Sequence, residues 1–551
     1  MLKRLWAKDV SLWQADERQK QDISANLSWL DLPQQMGPYM ARAAELVGVT
    51  QREGFQDVVF VAIGDSNLAA ETVAHASSEK RWRRVFLLDS IDPAAIRAID
   101  EKLDFEVTLF VFANKSGKRI ENHALLLYFL DRLKAHGSSE PGRCFIAVTE
   151  ESSYLASNAR SYGFLGTFWD PPGIKGRYSS LIHFGLLLSA LWRFDPADLV
   201  SRAAATRDLC RQSAAPDANP ALLLGALLAA GAIEGHDKLL LLSTKSLSAS
   251  TYRIGQLVGA STSKGGQGLI PICDGVPRPL EIYQRGCVCA ILTMRGDDDT
   301  EVNEAEKQLK QAGVPVVSIE LNSPAELGGE LFKWELATAL ACALLNVNPF
   351  DEPDVQAGRE RAAEILEELV AKGELSSRTV RVREKGTELY AEGETRRQIS
   401  TLSLSDAFQT FFELRNADGY LAIITFMGSQ PLVEAALGRL REQLASKLGI
   451  PVLVSTGPRY LHYFEQVYKG GPAKGLFLIL TSEPTEDIVI PGAGYTFGQL
   501  QLALALGDFD SLESRQKLVV RIHLKQGLEQ GLAEVEQAIQ QALLNTRNTG
   551  R

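Results

Sequence analysis

Short runs of consecutive apolar residues recur along this chain, each broken by a small polar loop and followed by a stretch of helical length. Asp57-Val-Val-Phe-Val-Ala-Ile63 reads as a buried strand that stops at Gly64-Asp-Ser-Asn67 and gives way to an Ala-rich helical stretch. Val85–Leu88, Val107–Phe112, Cys144–Val148 and Gly166–Trp169 follow as strands, with a helix over Ile120–Ala135. Strands alternating with helices of about 10–15 residues predict a parallel sheet covered on both faces. The order then repeats: strand Lys238–Ser243, a helix reaching about Ala260, strands Val288–Thr293 and Val316–Ile319, and a helix over Gly329–Asn346.

Asp354–Lys372 predicts an amphipathic helix, with Glu360, Glu364, Glu367 and Glu368 on the wet side and Ile365, Leu366, Leu369 and Val370 opposite. Polarity rises over residues 372–401, where Arg378, Arg381, Arg383, Arg396 and Arg397 read as a solvated linker with one hairpin. A third α/β unit begins at Ser403, with strands Leu421–Phe426, Val452–Ser455, Gly475–Leu480 and Val519–His523 and helices Gln430–Leu448 and Leu528–Leu544. The expected division is a helical segment over 1–50, sheet units over 51–215 and 216–372, a linker over 373–402 and a C-terminal α/β domain over 403–551.

A chain of 551 residues exceeds what one hydrophobic core serves, which agrees with several domains. Its 45% apolar and 23% charged residues exclude disordered and fibrous classes. A net charge of −10 without a basic block argues against a nucleic-acid partner. The apolar stretches Leu181–Trp192 and Ala221–Ile233 fall short of a membrane span and predict buried helices. Six cysteines without a C-x-x-C pair and an N-terminus without an export signal predict a reduced, soluble, cytoplasmic protein with no membrane partner. The seven histidines are scattered, no metal pattern is present, and neither a Walker A sequence nor a G-x-G-x-x-G calls for a nucleotide cofactor.

Open α/β sheets bind ligands at the carboxyl ends of their strands, where helix starts favour anions. Three loops occupy such places: Gly64-Asp-Ser66, Asn114-Lys-Ser-Gly117 and Ser243-Thr-Lys-Ser246. Each is either a phosphate loop or a turn whose small polar residues cap a helix.

Two of these loops, in order with Gly173-Ile-Lys-Gly-Arg-Tyr-Ser179, Gln256, Ser261-Thr-Ser-Lys264, Gly266-Gln-Gly-Leu-Ile-Pro271 and Asn348-Pro-Phe-Asp-Glu-Pro-Asp-Val355, resemble phosphoglucose isomerase. The resemblance is strongest to the isomerase half of fused transaldolase/phosphoglucose isomerase proteins. Those carry something similar to Arg4-Leu-Trp-Ala-Lys-Asp9, Gly457-Pro-Arg-Tyr-Leu-His462, Lys469-Gly-Gly-Pro472 and Tyr495-Thr-Phe-Gly498. The transaldolase barrel itself is not expected in this chain. The resemblance implies two doubly wound, SIS-type sugar-isomerase subdomains plus a third α/β domain. It also implies a sugar-phosphate ligand, glycolytic or gluconeogenic chemistry without a cofactor, a homodimer, and a transaldolase as partner.

The departures bear on chemistry. Aldose–ketose isomerisation needs a carboxylate base, a cation over the developing oxyanion, an acid/base for ring opening and a phosphate cradle. At the position of the family's base stands Ala260, the family's Lys is Arg359, its Gln is Glu352, and its ring-opening His has no counterpart. Arg177 matches the Arg that lies over the reacting carbons. The expected catalytic set is Arg177, Glu352, Arg359 and Glu121; the expected phosphate set is Gly64, Ser66, Lys115, Ser116, Lys118, Arg119, Gln256 and Lys264. In the cradle, Lys118 and Arg119 replace two hydroxyls. Three readings follow in order: a sugar-phosphate-binding homologue with isomerase chemistry lost or weakened, an active glucose-6-phosphate isomerase using Glu121 or Glu352 as substitute carboxylate, and an interaction scaffold.

Overall fold

The computed structural model describes residues 1–64, 68, 71–72, 75, 84–115, 119–178, 187, 190–191, 196–212, 218–273, 275–375, 378–401, 403–428 and 430–545. It falls into two compact units. The first holds Met1–Asp89, Lys102–Gly275 and Cys287–Glu352; the second holds Ser90–Glu101, Val276–Gly286 and Pro353–Arg551.

The first unit contains two sheets. β1 (Asp57–Val61), β2 (Arg84–Leu88), β3 (Thr108–Ala113), β4 (Phe145–Thr149) and β5 (Gly166–Trp169) form an all-parallel sheet in the order β2-β1-β3-β4-β5. β1, β3 and β4 are buried at every position, because helices cover both faces of such a sheet. β6 (Lys238–Ser243), β7 (Ile270–Ile272), β8 (Cys287–Met294) and β9 (Val316–Leu321) make a second parallel sheet in the order β7-β6-β8-β9. In both sheets the strand order reverses beside the first strand, as in doubly wound folds.

Sequence periodicity missed β7, which is short and lies inside the Gly266–Pro271 motif. The expected helix over Ala221–Ile233 is present as Pro220–Ile233, capped by the Asn219 side chain on the Leu222 amide at 3.0 Å. The helix expected over Leu181–Trp192 and the Ala-rich stretch after Gly64 lie mostly outside the described residues.

The second unit is built on one mixed sheet. β10 (Val382–Glu384), β11 (Thr387–Tyr390), β12 (Tyr420–Phe426), β13 (Val452–Thr456), β14 (Gly475–Ser482) and β15 (Leu518–Leu524) lie in the order β10-β11-β15-β14-β12-β13. The hairpin read in the charged 373–402 segment is there, and it forms the antiparallel edge of this sheet through β11 and β15. Two of the arginines read as solvated are engaged instead: Arg378 donates to Asp510 at 2.8 Å, and Arg381 donates to the Ile399 carbonyl at 2.7 Å.

Two of the helices that the sequence reading did not list belong to this unit: Phe497–Ser514 is buried almost all round and so lacks an amphipathic period, and Leu404–Glu413 buries Leu404, Ala407, Phe408, Phe411 and Phe412 on one face. The Gln356–Lys372 helix buries Ile365, Leu366 and Leu369 as expected, while Val370 is 54% exposed. At 3.6 residues per turn Val370 lies about 140° around from Ile365, off the buried face. This helix crosses Phe497–Ser514 where a Cβ on Gly507 would meet the Gly358 carbonyl, so the close approach depends on Gly507.

Among the described residues, no helix is long and apolar enough to cross a membrane.

Candidate functional site

The strongest assembly of expected site residues lies in the first unit, around Arg177. This guanidinium sits in a short 3-10 turn, Gly176–Tyr178, and is 2% exposed. It donates from Nη1 to Glu352 Oε1 at 2.7 Å, from Nη2 to the carbonyls of Pro349 (2.9 Å) and Asp351 (3.2 Å), and from Nε to Ser261 Oγ at 3.3 Å. Every arm of the fork is therefore engaged by the protein itself. The turn is fixed from below by Arg253, which donates to the carbonyls of Gly176 and Arg177 and to Gln256 Oε1 at 2.8 Å. Gln256, expected among the phosphate ligands, is 1% exposed and serves here as a partner of Arg253.

The Ser248–Thr262 helix supplies the next residues. Ala260 is 2% exposed and offers only a methyl group where the base was expected. Lys264, expected at the phosphate, folds back to donate to the carbonyls of Ala260 (2.9 Å) and Ser261 (2.6 Å), with Asp351 Oδ1 at 3.7 Å. It thus occupies the end of its own helix, where unpaired carbonyls favour a cation. Burial lowers Lys264 to about 8, and burial also raises Asp351, with the Lys264 and Arg177 charges opposing that rise. Cys342 Sγ donates to the Ser261 carbonyl at 3.3 Å, and burial pushes its thiol up to about 12. Tyr178 Oη and Ser261 Oγ are 3.2 Å apart. A further carboxyl, Glu335 on the Leu327–Leu344 helix, is 3% exposed; burial pushes it up to about 8 against the pull of Arg253.

The two switch-point crevices of this unit are crossed by internal pairs. In the first sheet, Arg119 reaches from the loop after β3 to donate to the Ile63 carbonyl at the end of β1. A Cβ on Gly64, whose φ is +118°, would collide with that guanidinium. Lys115 points elsewhere, pairing with Asp170 at 2.9 Å and donating to the Pro171 carbonyl at 3.0 Å. The Asp170 side chain is 0% exposed, so Lys115 is tied to a buried carboxylate and does not face an open loop. Glu121 is buried in the first turn of the Ile120–Ala135 helix. Ser66, Ser116 and Lys118 lie outside the described residues. In the second sheet, the Ser246 amide and hydroxyl donate to Asp297 Oδ2 at 3.0 and 2.6 Å. An internal carboxylate thus takes the donors of Ser246, and neither helix start that follows carries a side-chain cap from the loop.

Arg359 belongs to the second unit. Its side chain is 44% exposed, donates to the Leu461 carbonyl at 3.3 Å and lies 3.8 Å from Glu465 Oε2. Beneath it, Lys469 pairs with Glu465 and, at 3.0 Å, with Asp508, whose other oxygen accepts from Tyr460. Two buried carboxylates against one buried ammonium leave one negative charge, which Arg359 faces. Arg359 is therefore a counter-ion of the Lys469 cluster. Glu465 and Lys469 stand four apart on one helix, a spacing that could have announced the pair; Arg253, three before Gln256, carried no comparable signal.

The family model described as phosphoglucose isomerase matches residues 33–235. A probable glucose-6-phosphate isomerase of Haloquadratum walsbyi is 25% identical over 400 residues, 66% of this chain and 91% of that protein. Over residues 33–235 the chain is similar to the phosphoglucose isomerase family. A glucose-6-phosphate isomerase of Prochlorococcus marinus is 26% identical over 352 residues, covering 57% of this chain and 65% of that one. The fold agrees with two crystal structures. A glucose-6-phosphate isomerase of Chlamydia trachomatis has a TM-score of 0.53 at 20% identity, over 67% of this chain and 78% of that one. A hypothetical protein of Thermus thermophilus has a TM-score of 0.57 at 23% identity, over 66% of this chain and 93% of that one. In this chain Arg177 and Lys264 are both surrounded by the protein's own acceptors.

Proposed function

We propose that this phosphoglucose isomerase homologue binds a sugar phosphate and that its aldose–ketose isomerase chemistry is lost or strongly weakened. The observation that carries the reading is the closed Arg177 fork. An arginine that steadies a developing oxyanion must keep donors for it; here Glu352, two carbonyls and a hydroxyl take four of its five N–H groups. Position 260 also lacks a base: Ala260 offers none, and the Glu352 carboxylate of the same cluster is held in an ion pair with Arg177. Loss of a positioned general base alone costs about 10²–10⁴-fold.

Phosphate binding is supported by Arg119, a cation held at the switch point of the first sheet over Gly64, where an α/β sheet receives anions. A coupled assay for interconversion of glucose 6-phosphate and fructose 6-phosphate tests the loss of chemistry. Turnover at the median enzyme rate of about 10 s⁻¹ would overturn it. A thermal shift with 6-phosphogluconate tests binding, and no shift at millimolar ligand would remove the sugar-phosphate reading.

A further inference from the structure

Around Arg177 the charges are layered. The two cations are buried, with side-chain exposures of 3% for Arg177 and 8% for Lys264. The two carboxylates are the open members, 35% for Glu352 and 27% for Asp351. Formal charge sums to zero, but a ligand arriving from solvent meets the anions first. Coulomb attraction falls with distance and solvent screening, so the nearer sign dominates the local field.

A carboxylate bound by an arginine still has acceptor capacity, because its two oxygens offer about four lone-pair sites. A neutral hydroxyl on a ligand can give one of them a single ordinary hydrogen bond. An ammonium gives charged donors, and such bonds are roughly twice as strong as neutral ones.

We propose that the sugar phosphate received here is a 2-amino-2-deoxy sugar phosphate, with its ammonium donating to the outward Glu352 carboxylate and Asp351 adding to the negative field. The inference rests on the sugar-phosphate reading above and on Arg177 marking the position of C1 and C2. Glu352 is 2.7 Å from that guanidinium, so on that reading its carboxylate faces the substituents of C1 and C2, and C2 is the one that carries an amine in amino sugars. Arg177 then acts as a positioning residue that orients the Glu352 carboxylate, and the amino group is the specificity element.

Titration calorimetry on the full chain at pH 6.5, where the amine carries its proton, compares glucosamine 6-phosphate, N-acetylglucosamine 6-phosphate and glucose 6-phosphate. The amino sugar should bind about tenfold tighter than glucose 6-phosphate. The N-acetyl sugar, uncharged at C2, should lose that advantage on the unaltered protein. Glu352→Gln should bring the amino sugar and glucose 6-phosphate to equal affinity. Should that variant fail to fold, the N-acetyl comparison decides alone. Equal or tighter binding of glucose 6-phosphate by the unaltered protein would overturn the inference and leave the sugar-phosphate reading standing. A preference that survives Glu352→Gln, or is shared by the N-acetyl sugar, would also overturn it. No binding of any of the three would overturn both.

Discussion

Arg177 Nη1 lies 2.7 Å from Glu352 Oε1, and this ion pair joins a nearly buried guanidinium to a carboxylate that solvent still reaches. The pair links stability to chemistry. The same contact that neutralises a buried charge occupies one donor of the guanidinium, and its carboxylate is the more exposed partner.

Arg177→Lys should destabilise the first unit by about 2–4 kcal/mol, because one ammonium cannot reach the four acceptors that the planar fork serves. Urea denaturation followed by near-ultraviolet circular dichroism measures this. A loss below about 0.5 kcal/mol would mean that the fork contributes little.

Ala260→Glu should not restore ordinary isomerase turnover. The new carboxylate would be buried, while Arg177 stays closed by Glu352 and Lys264 stays bound to the Ala260 and Ser261 carbonyls. Recovery of family-level rates in the coupled assay from this single change would contradict the account of the site.

Binding of glucose 6-phosphate should weaken steeply with added sodium chloride if Arg119 holds the phosphate at the switch point. Replacing Lys118 and Arg119 together by Thr should flatten that dependence, because two fewer cations are screened. Identical affinities for both proteins at every salt concentration would move the phosphate away from Arg119.

Glu335 makes stability depend on pH. Its carboxyl rises from an ordinary 4.5 to about 8 through burial, so between these values the native state keeps a proton that the unfolded chain has released. The stabilisation is complete below about pH 4.5 and declines towards pH 8, by at most about 1.4 kcal/mol per pH unit. Lys264, lowered to about 8, acts with the opposite sign only above that pH, where the unfolded chain holds the extra proton. Glu335→Gln keeps a neutral side chain of the same shape and should flatten the fall between pH 5 and pH 8. An unchanged slope in the variant would assign the pH dependence to other groups.

In the second unit, Lys469→Met should cost about 3–5 kcal/mol, since it leaves Glu465 and Asp508 buried without their ammonium. Arg359→Met should cost less than about 1 kcal/mol, because that side chain is 44% exposed and its contact with Glu465 is 3.8 Å. Denaturation of the two variants side by side separates them, and equal losses would refute the counter-ion role.

The sequence alone determined the repeated strand–loop–helix order, because buried parallel strands are continuous apolar runs and their loops are small and polar. β1, β6 and β12 were legible for that reason, as was the hairpin within the charged segment before the third unit. It also carried the likeness to phosphoglucose isomerase, through motifs whose order survives at low identity. Periodicity failed where an element is buried on all sides, as in the Phe497–Ser514 helix, or is as short as β7. Only the tertiary structure decided how the charged residues are spent. Lys115 and Asp170 lie 55 positions apart, and Arg177 and Glu352 lie 175 apart, distances over which no local pattern carries information. A buried charge must find a partner wherever the fold brings one. Which lysine meets a carboxylate, and which is left for a ligand, is therefore set by packing and not by spacing along the chain.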